Sequence, residues 1–402
     1  MLMSSEFMQA LSSYPQTLDA ARSYLDQRTQ LTELCVQVQQ IESPTGGESV
    51  LATWVADQFQ SMGLADVAID DQSNVFAHVP GQNPSLPALM ISAHTDTVFP
   101  AGTDLTVERD AERGRIAGPG IGDNSTGVAS LLSLASELVK LKPPVDIWLV
   151  ANSCEEGNGN LRGMRAAVGR LQDVVGASIV LEGTGLGRIV HRALGSRRYR
   201  ISAGAPGGHS WSDFGSASAI HVLVQLAAEI ARLRVPTQPR TTFNIGRIEG
   251  GRSINTIAQH ASLELDLRSE DPRALAHLDK QVQKIVGQFQ NARWKRWGVT
   301  VKSEVIGDRP GGEIGRDHPL VVAAQHALVG AGLTGRSELQ ISSTDANIPL
   351  SRGIPCVCIG ITQGGDAHRL EEWISPRYLP QGMQHLMLLT WWTALWLAGE
   401  VD

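Results

Sequence analysis

"VDIWLVANSCEEGNGNLRG", residues 145–163, decides how the rest of the chain is read. An apolar run ends in two adjacent carboxylates, Glu155 and Glu156, and then in a glycine-rich turn. A continuous apolar run bounded by turn residues reads as a buried strand of a sheet covered on both faces. If the strand carries on to the acids, the pleat aims their side chains at opposite faces. The two glutamates then have separate jobs, and strand geometry alone leaves either order open.

The same grammar continues on both sides of this stretch. The spacing predicts helices at "VLATWVADQFQSMG" (50–63), "GVASLLSLASELVKL" (127–141), "MRAAVGRLQ" (164–172) and "PLVVAAQHALVGAG" (319–332). Buried strands are expected at "ALMISAH" (88–94), "ASIVLEG" (177–183) and "IPCVCIGI" (354–361). One helix is expected from about Gln16 to Ile41, stopped by the turn cluster "ESPTGGE". Alternating strands and helices of this kind make an α/β fold with a mostly parallel central sheet flanked by helices.

Between about 195 and 307 the pattern changes to β-α-β-β-α-β. Its parts are "SRRYRISAGAP", "SASAIHVLVQLAAEIARLR", "TTFNIGRIEGG", "INTIAQHASLELDLRS", "DPRALAHLDKQVQKIVGQF" and "GVTVKSEVIG". That order is the signature of a ferredoxin-like α+β unit. The expected organisation is a discontinuous large domain, 1–194 with 308–402, and a small domain, 195–307, inserted into it.

Composition removes several classes of function. With 42% hydrophobic and 19% charged residues, the 402-residue chain has material for a large core and is not of disordered type. A net charge of −7 offers no field for nucleic acid or an anionic membrane. Cys35, Cys154, Cys356 and Cys358 sit mostly in apolar stretches and read as reduced thiols. The most apolar run, "LMLLTWWTALWLA" (386–398), falls short of the roughly 20 residues a membrane span needs. The opening "MLMSSEFMQALSSYPQ" lacks the basic and apolar regions of a secretory signal, so the expected compartment is cytoplasmic.

The functional signal is positional. His94 and Asp96 follow one predicted strand, Glu155 and Glu156 a second, Glu182 ends a third, and His368 lies a few residues after a fourth. Open α/β sheets bind ligands beyond the carboxyl ends of their strands, so these groups gather at one edge. Asp123 joins them from the loop "GPGIGDNSTG", and can enter between the strands as a bridge. Two histidines and even three of these carboxylates exceed the needs of one tetrahedral ion and suit two ions sharing a carboxylate. Zinc is the first choice, with cobalt or manganese fitting the same ligands. Asp96, two residues after His94, is placed to accept the second ring N–H of that histidine.

"SAHTDTV", "GIGDNSTGVASLL", "SCEEGNG", "LEGTG", "GGHSW", "SINTIAQHASLELDLR" and "GGDAH" together resemble a co-catalytic zinc metallopeptidase family. It is the family of carboxypeptidase G, aminoacylase, succinyl-diaminopimelate desuccinylase and tripeptidase T. The resemblance is ordered and covers nearly the whole chain. It implies that His94 and His368 are terminal ligands of different metals, Asp123 the bridge, Glu156 a ligand of one ion and Glu182 of the other. It makes Glu155 the general base and Asp96 the carboxylate behind His94. His209 matches a histidine that helps stabilise the oxyanion in the active site of the partner subunit, while Asn255 and Arg268 match residues that hold the substrate's carbonyl and carboxylate.

The implied activity is exo-acting hydrolysis of a peptide or amide bond in small peptides or N-acyl amino acids, by a metal-bridged hydroxide with Glu155 as base. The resemblance makes the large domain the catalytic, metal-binding domain and the inserted one a lid and dimerisation domain. The implied assembly is a homodimer formed through the inserted domain. Glutamate at 182 resembles carboxypeptidase G and desuccinylase types, whereas "SSTDANIPLSRGIP" resembles the tripeptidase T branch. Both substrate types therefore stand, and a catalytically inactive dimeric peptide or metabolite binder is the alternative of another class.

Overall fold

The structure is a computed structural model that describes residues 2–335 and 337–401. It is a mixed α/β fold that divides into two compact units, Met1–Ala193 with Glu313–Asp402, and Leu194–Gly312.

The first unit is built on a large sheet. Its longer strands are β1 (Ala65–Ile69), β2 (Val75–Val79), β3 (Ala88–His94), β4 (Ile147–Asn152), β5 (Val175–Thr184), β6 (Arg188–Ala193), β7 (Glu338–Ser342) and β8 (Cys356–Thr362). They lie in the order β1-β2-β4-β3-β5-β8-β6, with β7 also paired to β6. The central strands β4, β3, β5 and β8 run parallel, β2 and β6 join them antiparallel, and β1 pairs antiparallel with β2.

Every residue of β3 and β8 is buried, because side chains of both parities meet a covered face. Leu89, Ile91, Leu149, Ile179 and Ile359 belong to one apolar cluster, and Met90, Val150, Val180 and Cys358 to another. That is the physical origin of the continuous apolar runs. Each such aliphatic side chain contributes about 1.5–3 kcal/mol by leaving water, and cutting Ile91 to alanine would cost about 2–5 kcal/mol. The same packing holds the strand ends, and with them the functional groups, in place.

Local departures from the sequence expectation have visible causes. The helix expected over 16–41 is broken into Pro15–Ser23, a tight turn at Tyr24–Asp26, and Arg28–Gln39. Tyr24 is fully buried at this break and its hydroxyl donates to the Ser133 carbonyl at 3.2 Å. The strand carrying the paired glutamates stops at Asn152, and Cys154 turns the chain with a left-handed φ of 54°. Glu155 and Glu156 therefore sit on a turn, and the pleat does not decide how they point.

In the second unit, four antiparallel strands lie in the order Thr241–Gly250, His260–Ser269, Gly195–Gly204, Thr300–Arg309. Helices Ala219–Ala231 and Pro272–Phe289 pack their apolar residues against this sheet. Asp271 caps the second helix by accepting the Ala274 N–H at 2.7 Å, with Pro272 at the first helical position. The stretch read as one strand over 254–269 is two: Thr256–Ile257 pairs with Gly208–His209, and only His260–Ser269 enters the larger sheet. The last strand shifts register between Val305 and Gly307 but stays paired as far as Arg309 opposite Ser196, two residues beyond the expected boundary at 307. Among the described residues, no helix is long and apolar enough to cross a membrane.

Candidate metal centre

His94 is the last residue of β3, and Glu182 lies near the end of β5. Asp123 enters from the loop before helix Gly127–Leu138. That loop is fastened to β5: Asn124 donates to the Leu181 carbonyl and accepts the Gly183 N–H, both at 2.9 Å. The backbones approach so closely that a Cβ on Gly183 would lie 2.0 Å from the Gly122 carbonyl oxygen. Only glycine allows this contact.

Asp123 is the centre of the cluster. Its Oδ1 lies 3.1 Å from His94 Nε2 and its Oδ2 lies 3.1 Å from His368 Nε2. His94 Nε2 is also 3.8 Å from Glu182, and His368 Nε2 is 3.0 Å from Glu156. Two triads result, His94–Asp123–Glu182 and Asp123–Glu156–His368, and in each the candidate ligand atoms lie within 4.8 Å of one another. Asp123 belongs to both and uses a different oxygen in each. The His94 side is buried, whereas the His368 side chain is 53% exposed, so the cluster opens to solvent on one side.

The charges are strongly coupled. Burial opposes ionisation of Asp123, yet His368 and His94 outweigh it and hold the carboxyl well below the usual carboxylate range. Burial, with Asp123 and Glu155 nearby, pushes Glu156 up to about 8. Hydrogen bonding to Asp123 leads the causes that raise His368 to about 9. Burial works against a charged His94, but its bonds to Asp123 and neighbouring carboxylates prevail and raise it well above the ordinary histidine value. Carboxylates and imidazoles forced together in this way compete with each other for protons. A divalent cation would relieve that competition, and this mixed nitrogen and oxygen donor set fits such an ion.

Asp96 meets both His94 and the turn of the paired glutamates. His94 Nδ1 lies 3.0 Å from the Asp96 backbone carbonyl, which orients the ring, and 3.6 Å from the Asp96 carboxylate, within ion-pair range. That carboxylate also accepts the N–H groups of Glu155 at 2.8 Å and Glu156 at 2.9 Å, and the Thr45 hydroxyl at 2.9 Å. It therefore fixes the turn that presents both glutamates.

Three buried acids escaped the sequence reading, and one of them, Glu48, accepts the N–H groups of Cys154 at 3.1 Å and Gly46 at 2.8 Å. Glu372 is fully buried and its carboxylate accepts three backbone N–H groups of the Asp123 loop: Asp123 at 2.5 Å, Gly122 at 2.9 Å and Gly120 at 3.2 Å. Asp345, also fully buried, accepts the Asn152 side-chain amide at 2.7 Å where β4 ends. For Glu372 and Asp345 the acidic pair "EE" before Trp373 and the polar run "SSTDAN" were the available signals.

His209, Asn255 and Arg268 lie in the second unit. His209 pairs with Thr256 across a two-stranded ladder, and the Ser210 N–H donates to the Asn255 carbonyl at 3.0 Å, so His209 and Asn255 are neighbours. Trp211 donates its backbone N–H to His209 Nδ1 at 3.2 Å, which leaves Nε2 as the protonated nitrogen of the neutral ring. Arg268 is at the far end of its strand, with Nε donating to Asp266 at 2.7 Å.

Residues 90–391 match the profile of the peptidase family M20/M25/M40, and the chain belongs to that family. An Aspergillus flavus protein named "Probable carboxypeptidase" is 27% identical over 259 residues, 57% of this chain and 59% of that protein. The chain thus spans about three fifths of that relative's length. Two solved structures share the fold at 22% identity: a tripeptidase from Staphylococcus aureus, with TM-score 0.75 over 91% of this chain and 98% of that one, and aminopeptidase PepT from Bacillus cereus, with TM-score 0.73 over 91% and 99%.

Proposed function

We propose that this protein is a metal-dependent exopeptidase or amidohydrolase acting on small peptides or N-acyl amino acids. The observation that carries the reading is Asp123, which presents one oxygen to the His94–Glu182 triad and the other to the Glu156–His368 triad. His94, Asp123 and Glu182 would hold one divalent ion, and Asp123, Glu156 and His368 a second. Zinc suits the donors best, and cobalt or manganese fit them. Bound there, such ions supply Lewis acidity toward the scissile carbonyl and lower the pKa of water.

The chain's own groups do the rest. Glu155, which the Asp96 carboxylate holds by its backbone N–H, takes the proton of the attacking water and returns it to the leaving amine. His209 donates from Nε2 to the developing oxyanion, supplied by the partner subunit of a homodimer formed through the inserted unit. Asn255 takes the substrate carbonyl. Arg268 meets the substrate carboxylate when it exchanges Asp266 for substrate. Similarity to a protein named as a carboxypeptidase and to a tripeptidase fold supports peptide substrates of both end types.

The test is Glu155→Gln in zinc-loaded protein, assayed on di- and tripeptides and on N-acyl amino acids. Expected are a turnover loss of at least about 100-fold and unchanged metal stoichiometry. Turnover within a few-fold of the unaltered protein would sink the base assignment. Chelation without loss of hydrolysis would sink the metal reading altogether.

A further inference from the structure

Away from the metal centre, a groove of about 330 Å³ in the first unit gathers four guanidinium groups, from Arg28, Arg109, Arg115 and Arg377, against two carboxylates, Glu33 and Asp110. In a chain of net charge −7 this local excess of positive charge is unusual. Arg109 is committed, since its two terminal nitrogens grip Glu33 at 2.8 and 2.9 Å. Among the described residues, Arg28, Arg115 and Arg377 form no ion pair with a carboxylate. Arg115 is half-buried and stacked on Trp373, its guanidinium carbon 3.6 Å from the ring centroid. Stacking fixes the plane of its donors before any ligand arrives, which lowers the ordering cost of binding.

The helix Arg28–Gln39 points the same way. It begins at this groove with an arginine in its first position and no acidic residue in its first turn. Helix starts favour negative charge, so this arginine adds to the positive end of the dipole, and no acid in the first turn offsets it. Three guanidiniums from separate elements, none ion-paired with a carboxylate among the described residues, and a helix start without an acid in its first turn converge on one concave space. Surface arginines scattered singly would not do this.

The geometry points to a binding site for a compact phosphate-class dianion in the groove between Arg28, Arg115 and Arg377, separate from the metal centre. The planar donor forks match phosphate oxygens, and the volume admits either inorganic phosphate or the phosphate end of a small organic phosphate.

Calorimetric titration of zinc-loaded protein with inorganic phosphate and with a hexose phosphate, at constant ionic strength, tests this. The comparison is the zinc-loaded Arg115→Gln/Arg377→Gln variant. Both proteins carry the same metal centre, so phosphate held there cancels. The groove site predicts one binding event that weakens at least tenfold in the double variant. Tighter binding of the hexose phosphate than of inorganic phosphate identifies an organic phosphate as ligand; equal or weaker binding identifies the free anion. Should the double variant fold poorly, Arg377→Gln alone, at an exposed position, gives the same comparison with a loss of at least threefold. Equal affinity of unaltered and variant proteins, or no event beyond the one both share, overturns the proposal.

Discussion

Glu372 holds Asp123 by its backbone: the buried carboxylate accepts the Asp123 N–H at 2.5 Å, together with those of Gly122 and Gly120. Asp123 can therefore turn both carboxyl oxygens toward the histidines, because its main chain is anchored from the opposite side. Removal of the anchor in Glu372→Ala leaves three N–H groups in a buried place without their acceptor, at about 1–3 kcal/mol each if water does not enter. Expected is a lower metal content per chain by elemental analysis, with a reduced thermal midpoint. Unchanged metal content and midpoint would show that the loop holds its shape unaided.

Asp96→Asn tests the second anchor. The asparagine keeps one acceptor oxygen but presents an amide to the other glutamate's N–H, so the turn at Glu155 and Glu156 loosens. Outer groups that orient a metal site are typically worth 10–100-fold in metal affinity or activity, and a loss of that size in kcat is expected. The readout that separates the carboxylate's hold on this turn from its contact with His94 is the His94 triad. The His94 ring is oriented by the Asp96 main-chain carbonyl, which the substitution leaves in place. Zinc affinity of the His94 triad should thus fall less than turnover does. A larger fall in affinity than in turnover would make the contact with His94 the carboxylate's main role.

These two anchors mark the limit of what the sequence discloses. His94, Asp123, Glu156, Glu182 and His368 were visible as candidates because apolar runs end near them, and a buried sheet delivers its strand ends to one edge. Glu372 and Asp96 act on main-chain N–H groups, which carry no residue signature, and Glu372 reaches a loop 249 residues away in the chain. The separate jobs of Glu155 and Glu156 were expected from the pleat, yet the chain leaves the strand at Asn152 and turns at Cys154. Long apolar strands and helices were legible from periodicity. The short pairings at Gly208–His209 and Thr256–Ile257 were not, since two-residue strands have no period to read.

His385 gives a pH dependence of stability independent of the metal centre. Burial lowers it to about 4, and among the described residues its one hydrogen-bond partner is the Ala324 carbonyl, 3.2 Å from Nε2. The folded value lies below the unfolded one near 6.5, so the unfolded chain takes up the proton first. Stability is full above 6.5 and is lost as pH falls from there toward 4. Between pH 7 and pH 5 the loss from this residue is about 2 kcal/mol. His385→Met, close in volume and unable to titrate, should show a smaller fall in unfolding midpoint over that interval than the unaltered protein. Parallel falls in the two proteins would place the acid sensitivity elsewhere.

Asp345 separates charge from hydrogen bonding beneath the site. Burial, then the charge of Glu155, raises its carboxyl well above the usual range, which favours the neutral acid. Its bond to Asn152 steadies the end of β4, whose carbonyl also accepts the Thr95 N–H at 2.7 Å beside His94. A neutral acid and an amide have the same shape, and the amide oxygen of Asp345→Asn can still accept from Asn152. That variant should keep its stability and most of its turnover. Asp345→Ala strands a buried amide and should lose about 1–3 kcal/mol in denaturant unfolding, with lower kcat from a loosened β4 end. If the asparagine variant is as unstable as the alanine one, the residue works as a buried anion, and the cations of the metal centre become its natural counter-charge.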